Sequence, residues 1–136
     1  MSVLVLDNNV LSDYLNGTDA AKEFLTAHEN DQWAVSSIVL YEALMGATYG
    51  YIGADPATVR QAVTGSIRVL DVTERTAIEA RRLQDDLLDE GSPVDQLDAL
   101  IAASAVERGG TFATAEKTFG SDAVRSKLDV AVYEPE

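Results

Sequence analysis

Short apolar runs alternate with helical periodicity from one end of the chain to the other, and this alternation restricts the fold more than any other feature. Val3–Leu6, Trp33–Ser36, Arg68–Val72, Thr111–Thr114 and Val130–Tyr133 read as strands. Runs this short and this apolar suit strands buried on both faces, as in a parallel sheet. The stretches between them read as helices with recognisable ends. Val10–Leu15 gives one or two turns closed by Asn16-Gly17. Thr18 opens a helix through about Glu29, with Ala21, Phe24, Leu25 and His28 on one face. Ser37 is the expected cap of a helix carrying Leu40, Glu42, Ala43, Leu44 and Ala47. Asp55-Pro56 sets a cap before a proline at the first helical position, starting a helix to about Val63. Thr73 opens the longest helix, Glu74 to about Glu90, stopped by Gly91-Ser92-Pro93. Asp95–Arg108 is rich in Ala and Leu and ends at Gly109-Gly110, and a short helix near Ser121–Leu128 precedes the last strand. Strands separated by helices imply one α/β domain over residues 1–136. Its centre is a mostly parallel sheet of four to five strands, with right-handed crossovers and helices on both faces. Ligands of such sheets sit outside the carboxyl ends of the strands.

The chemistry is narrowed by what is missing. The chain has no cysteine and one histidine, His28, which excludes disulfides, zinc–thiolate sites, cysteine nucleophiles and multi-histidine metal sites. His28 reads as a polar group near a helix end. No apolar run approaches the roughly 20 residues of a membrane-spanning helix. The opening MSVLVLD lacks a basic start and a cleavage site, so a cytoplasmic protein without membrane contact is expected. Ten basic residues against 23 acidic ones leave a formal charge of −13. That balance argues against broad, tight binding to nucleic acid, where affinity comes largely from neutralising phosphates. The acid is either functional or a solvated coat. Its even scatter, with only Lys22, Lys117 and Lys127 as lysines, favours a coat suited to the salty cytoplasm of a halophilic source.

Four acids fall where a site would form. Asp7 follows the first strand, although it also reads as the cap of the next helix. Glu42 lies inside an apolar helix, where a carboxylate is costly unless paired or coordinated; the bland alternative is a surface acid. Asp98 sits in the first turn of an Ala-rich helix, three residues after Asp95 on the same face, and dipole compensation alone would also explain it. Glu116 follows the fourth strand beside Thr114, whose hydroxyl suits a hydrogen bond to a carboxylate; a solvated loop acid is the alternative. Each signal is weak alone. Together the acids converge on one sheet edge as an all-oxygen set suited to Mg²⁺ or Mn²⁺, with an ion relieving their mutual repulsion.

Three stretches resemble the PIN-domain family. LVLDNNVLSDYL resembles its opening, an Asp closing the first strand. In SSIVLYEALMGA, Ser37 precedes Glu42 by five positions and Gly46 follows it by four, as in the second family motif. VDQLDALIAASAVERGGTFATAEKTF resembles the third stretch, in which an Asp opens an Ala-rich helix before a Gly, a strand, a Thr and a loop ending in Phe. The resemblance covers residues 3 to 119 and implies Asp7, Glu42 and Asp98 as the family's three acids, Glu116 at its fourth acidic or amide position, and Asn9 as a supporting residue. Asn8 stands where Thr or Ser is commoner, Glu116 is longer than the usual Asp or Asn, and Asp95 is not a core family position. By resemblance, the chain is expected to be a Mg²⁺/Mn²⁺-dependent endoribonuclease of the compact VapC toxin type. It would hydrolyse RNA phosphodiesters, tend to homodimerise and be held inactive by a cognate antitoxin. An inactive PIN-fold binding module and a housekeeping RNA-processing nuclease are the alternatives, with a signalling receiver domain more distant. Arg60, Arg68, Arg75, Arg81, Arg82 and Arg108 are scattered; surface ion pairs are expected for most of them. Tyr49-Gly50-Tyr51-Ile52-Gly53 is expected to pack at a helix end, with base stacking or a protein partner as alternatives.

Overall fold

The computed structural model describes residues 2–135. The elements run β1 (Val3–Leu6), α1 (Asn8–Leu15), α2 (Asp19–Thr26), β2 (Gln32–Ser36), α3 (Ser37–Tyr49), α4 (Pro56–Ser66) and β3 (Arg68–Leu70). They continue α5 (Glu74–Asp89), α6 (Gln96–Arg108), β4 (Thr111–Thr114), a 3-10 turn (Lys117–Gly120), α7 (Asp122–Arg125) and β5 (Asp129–Val132).

All five strands form one wholly parallel sheet in the order β3-β2-β1-β4-β5. The apolar runs behave as a sheet covered on both faces requires. Leu4, Val5 and Leu6 are fully buried, as are Ala34 and Val35 on β2 and Phe112 and Ala113 on β4. From β1 the chain steps outward through β2 to β3, then returns across the sheet to β4 on the other side of β1. With right-handed crossovers, α1 to α4 cover one face and α5 and α6 the other. The packing agrees: α1 lies on α3, α3 on α4, and α5 on α6, which also touches β1 and β4. The chain therefore reverses direction between β1 and β4, and that reversal opens a crevice at their carboxyl ends.

Several boundaries differ from the sequence expectation, each for a local reason. The cap of α3 is Ser36 and not Ser37. Ser36 keeps an extended backbone as the last residue of β2, and its buried hydroxyl accepts from the Ile38 N–H at 3.2 Å. Ser37 is the first helical residue, so strand passes into helix with no loop between. α2 ends at Thr26, three residues early. His28 lies in the following turn, where its ring meets Asp31 at 3.1 Å and its carbonyl accepts from the Trp33 indole. α4 runs on to Ser66. β3 is only three residues long and leaves Asp71 and Val72 exposed. Gly110 is the tightest glycine: a Cβ there would stand 2.7 Å from the Val3 carbonyl oxygen, where the end of α6 crosses the start of β1.

Candidate metal centre

Asp7 occupies the crevice at the reversal point. Its N–H extends the ladder by donating to the Ala113 carbonyl, and its backbone turns out of β1 into α1. The carboxylate is 8% exposed and doubly bonded: Oδ1 accepts from the Asn8 N–H at 2.8 Å and Oδ2 from the Thr114 hydroxyl at 2.7 Å. Asp7 thus is the helix cap, and it also presents its carboxylate at the strand end. Burial pushes this carboxyl up, the hydrogen bonds from Thr114 and Asn8 oppose that push, and the Glu116 charge adds to it.

The other acids reach the same edge through topology. α3 follows β2 and therefore starts at the carboxyl edge, which puts Glu42 in its second turn. α6 precedes β4 and runs against the strands, so its first turn, carrying Asp98, lies there as well. Two hydrogen bonds fix its entry: Gln84 on α5 donates from Nε2 to the Val94 carbonyl at 2.6 Å and accepts from the Val94 N–H at 3.0 Å. Glu42 is half-buried, and its Oε1 is sealed from solvent without any hydrogen-bond partner. Burial, then the Asp7 and Asp98 charges, raise its carboxyl above the usual range. Asp98 is pushed up to about 6 by burial, then by Asp7, Asp95 and Glu116. Glu116 is exposed, and its N–H donates to the Thr114 hydroxyl at 3.0 Å. Asn9 ties this loop down, its Oδ1 accepting from the Ala115 N–H at 3.1 Å.

Charges of the four acids therefore reach one another across the crevice, through Asp7 and Asp98. The N-termini of α1, α3 and α6 all open on this edge, and their dipoles partly offset the repulsion. The donor set is entirely oxygen, and a buried carboxylate oxygen lacks a partner. Both suit a hard divalent cation. Among the described residues no three acidic or histidine side chains yet stand together as a ready-made cage. The half-exposed Asp98 and the exposed Glu116 have room to rotate.

Of the remaining sequence candidates, Asp95 lies outside the cluster proper. It caps α6 by accepting from the Leu97 N–H at 2.9 Å and acts on Asp98 through its charge. Arg81 and Arg82 form ion pairs with Asp85 and Glu79 on their own helix. Sequence reasoning passed over Asn8 as part of the site. Its backbone N–H holds Asp7, and its side-chain oxygen accepts from Ser12 at 3.2 Å. Its position immediately after a strand-ending acid was the available signal.

Comparison with known proteins agrees with this architecture. The PIN domain profile matches residues 4–121. The chain belongs to the PIN-domain family. Among solved structures, VapBC2 of Rickettsia felis, bound to a DNA fragment from its promoter, is similar at 20% identity with a TM-score of 0.79, over 97% of this chain and 99% of that one. DNA-bound VapBC of Salmonella typhimurium is similar at 24% identity with a TM-score of 0.73, over 98% and 100% of the two chains. The Mycobacterium tuberculosis sarcin–ricin loop-cleaving toxin VapC20 is similar at 18% identity and a TM-score of 0.63, over 92% and 95%. No curated protein matches the sequence significantly. Among its described residues this PIN domain has no helix long and apolar enough to cross a membrane.

Proposed function

We propose that this PIN domain is a divalent-metal-dependent endoribonuclease of the VapC toxin type, with Asp7, Glu42, Asp98 and Glu116 as its metal-binding acids. The partnerless Glu42 Oε1, buried within reach of the Asp7 and Asp98 charges, carries the reading. Such an oxygen costs stability unless a ligand meets it. A bound Mg²⁺ or Mn²⁺ would supply charge neutralisation and water activation at phosphorus.

The chain's own groups do the positioning. Asp7 is the fixed ligand, because the Thr114 hydroxyl and the Asn8 N–H hold both its oxygens in place. Thr114 couples two sides of the site by donating to Asp7 and accepting from the Glu116 N–H. Glu42 and Asp98 approach from helices on opposite faces of the sheet. RNA is the expected substrate because a relative with this fold cleaves the sarcin–ricin loop, and an antitoxin is the expected partner because others are solved as VapBC complexes. Homodimerisation and a cytoplasmic location complete the reading.

The test is cleavage of a labelled structured RNA with Mg²⁺ or Mn²⁺ in high KCl, comparing wild type with Asp98→Asn. Metal-dependent cleavage by wild type and none by the variant is the expected result. A folded, partner-free wild type that leaves several RNAs intact would move the chain to the class of inactive PIN-fold binding modules.

A further inference from the structure

Next to the acid cluster runs a cleft of about 380 Å³ lined by Asn8, Ser12, Tyr41, Glu42, Met45, Tyr49 and Tyr51. That volume lies at the lower end of the range for small-molecule sites, roughly 300–1,000 Å³. Three of its rings are unusually open: Tyr41 is 63% exposed, Tyr49 68% and Tyr51 79%. Tyr41, Met45 and Tyr49 follow one another at one-turn intervals along a single face of α3. Tyr51 continues that face after the left-handed Gly50 ends the helix, its ring 6.2 Å from that of Tyr49. The expected packing of this stretch holds for Ile52 alone, which is 2% exposed and seated against Gly46.

The segment is held firmly. Tyr51 and Ile52 both donate their N–H groups to the Gly46 carbonyl, at 2.8 and 3.2 Å. The Asn16 side chain donates to the Tyr51 carbonyl at 3.0 Å and accepts from the Gly53 N–H at 2.9 Å. Open aromatic rings on a segment fixed at both ends are presented surface and not a loose end.

We propose that the Tyr41–Tyr49–Tyr51 cleft is a base-stacking subsite for an unpaired nucleotide adjoining the scissile phosphate of an RNA. The inference rests on the nuclease reading for its substrate class. Continuity supports it, because Glu42 and Asn8 line both the cleft and the acid cluster, so a strand with its phosphate at the acids places a neighbouring base over the rings. Charge supports it as well. No Lys or Arg lines the cleft, and the chain carries −13, so holding a polyanion here depends on the neutral faces of its bases. A partner helix would want a continuous aliphatic strip, but of the exposed aliphatics, Ile78, Leu88 and Leu97 lie on α5 and α6, across the sheet, and Val72 and Val132 lie at or after the edge strands β3 and β5.

The experiment measures binding of the full chain, its acids intact, to fluorescein-labelled 12-mers of oligo(A) and oligo(U) and to a fully paired hairpin, with Ca²⁺ in place of Mg²⁺ to fill the oxygen site while the probes survive. Tyr49→Ala/Tyr51→Ala should weaken single-strand binding at least about 10-fold, from the loss of one or two stacked bases. Tyr49→Phe/Tyr51→Phe should retain affinity within about 2-fold, since the ring face is kept. Hairpin binding should be weak and indifferent to both changes. Single-strand affinity unchanged by the alanine pair, or no single-strand binding at all, overturns the proposal. So does a fall in molecular mass by light scattering confined to the alanine pair, which would make the rings an interface between copies. Calorimetric titration of Mg²⁺ into the wild type and the tyrosine variants separates this outcome from failure of the nuclease reading. Absent metal binding with intact tyrosine-dependent RNA binding would sink the acid-site assignment and leave the stacking subsite standing.

Discussion

At the residue scale, Asp98 bears on both the stability of the fold and the proposed metal site, and the two effects pull apart with pH. Metal binding needs the carboxylates deprotonated. Asp98 is raised to about 6, so Mg²⁺ affinity and cleavage should fall as the pH drops through about 6, well above the range of an ordinary aspartate. A pH profile of Mg²⁺ binding by calorimetry checks this; a profile flat down to about pH 5 would contradict it. For the metal-free protein the sign reverses. A folded carboxyl raised above its unfolded value favours the protonated native state, so Asp98 works against folding above about pH 6, and that effect fades as the pH falls towards about 4. Asp98→Asn should therefore stabilise the metal-free chain at neutral pH, by about 1 kcal/mol or roughly 3–5 °C in Tm, while abolishing the further rise that Mg²⁺ gives the wild type. Thermal melts with and without Mg²⁺ read both effects; a variant that melts lower than wild type without metal would show that repulsion is not what Asp98 contributes.

At the element scale, the sheet and most caps were legible because they depend on neighbours in sequence. β1 and β4 are apolar runs bounded by turn chemistry, and Thr18, Asp55 and Thr73 cap the helices their spacing implies. Asp7, Glu42, Asp98 and Glu116 were legible as a set because strand ends and helix first turns are local features that a parallel topology collects on one edge. What could not be read is what tertiary contacts decide. Ser36 and Ser37 are equal caps on paper, and only the pairing of β2 with β3 through Ser36 shows where the strand stops. Likewise Ile52 and Tyr51 are adjacent apolar residues, and the space left by Gly46 decides which one turns inward. The same kind of close approach separates two glycines. Gly110→Ala brings a Cβ against the Val3 backbone and should cost about 2 kcal/mol or more, because main chain has to move. Gly65→Ala, in the last turn of α4 with nothing within 4 Å, should be neutral or stabilise by up to about 0.5 kcal/mol. Urea unfolding of the pair tests the contrast, and equal losses would refute it.

At the scale of the whole molecule, the excess of 13 negative charges is spread over a surface where most acidic residues are exposed. Raising salt from about 0.1 M to about 1 M shortens the screening length from about 10 Å to about 3 Å and removes most of that self-repulsion. The melting temperature should climb through this range and more steeply in KCl than a balanced surface would allow; a curve flat with salt would count against a halophilic origin. The parallel sheet has a last consequence, and it concerns time. The central strand β1 is translated before the other strands of its sheet, yet its neighbour β4 and the hydroxyl that steadies Asp7 come from residues 111–114, and Glu116 later still. A chain still being translated holds Asp7 and Glu42 but not the strand that joins them to the rest. Whatever chemistry the crevice performs is withheld until residues 111–116 have been made, so the order of synthesis itself delays the assembly of the crevice.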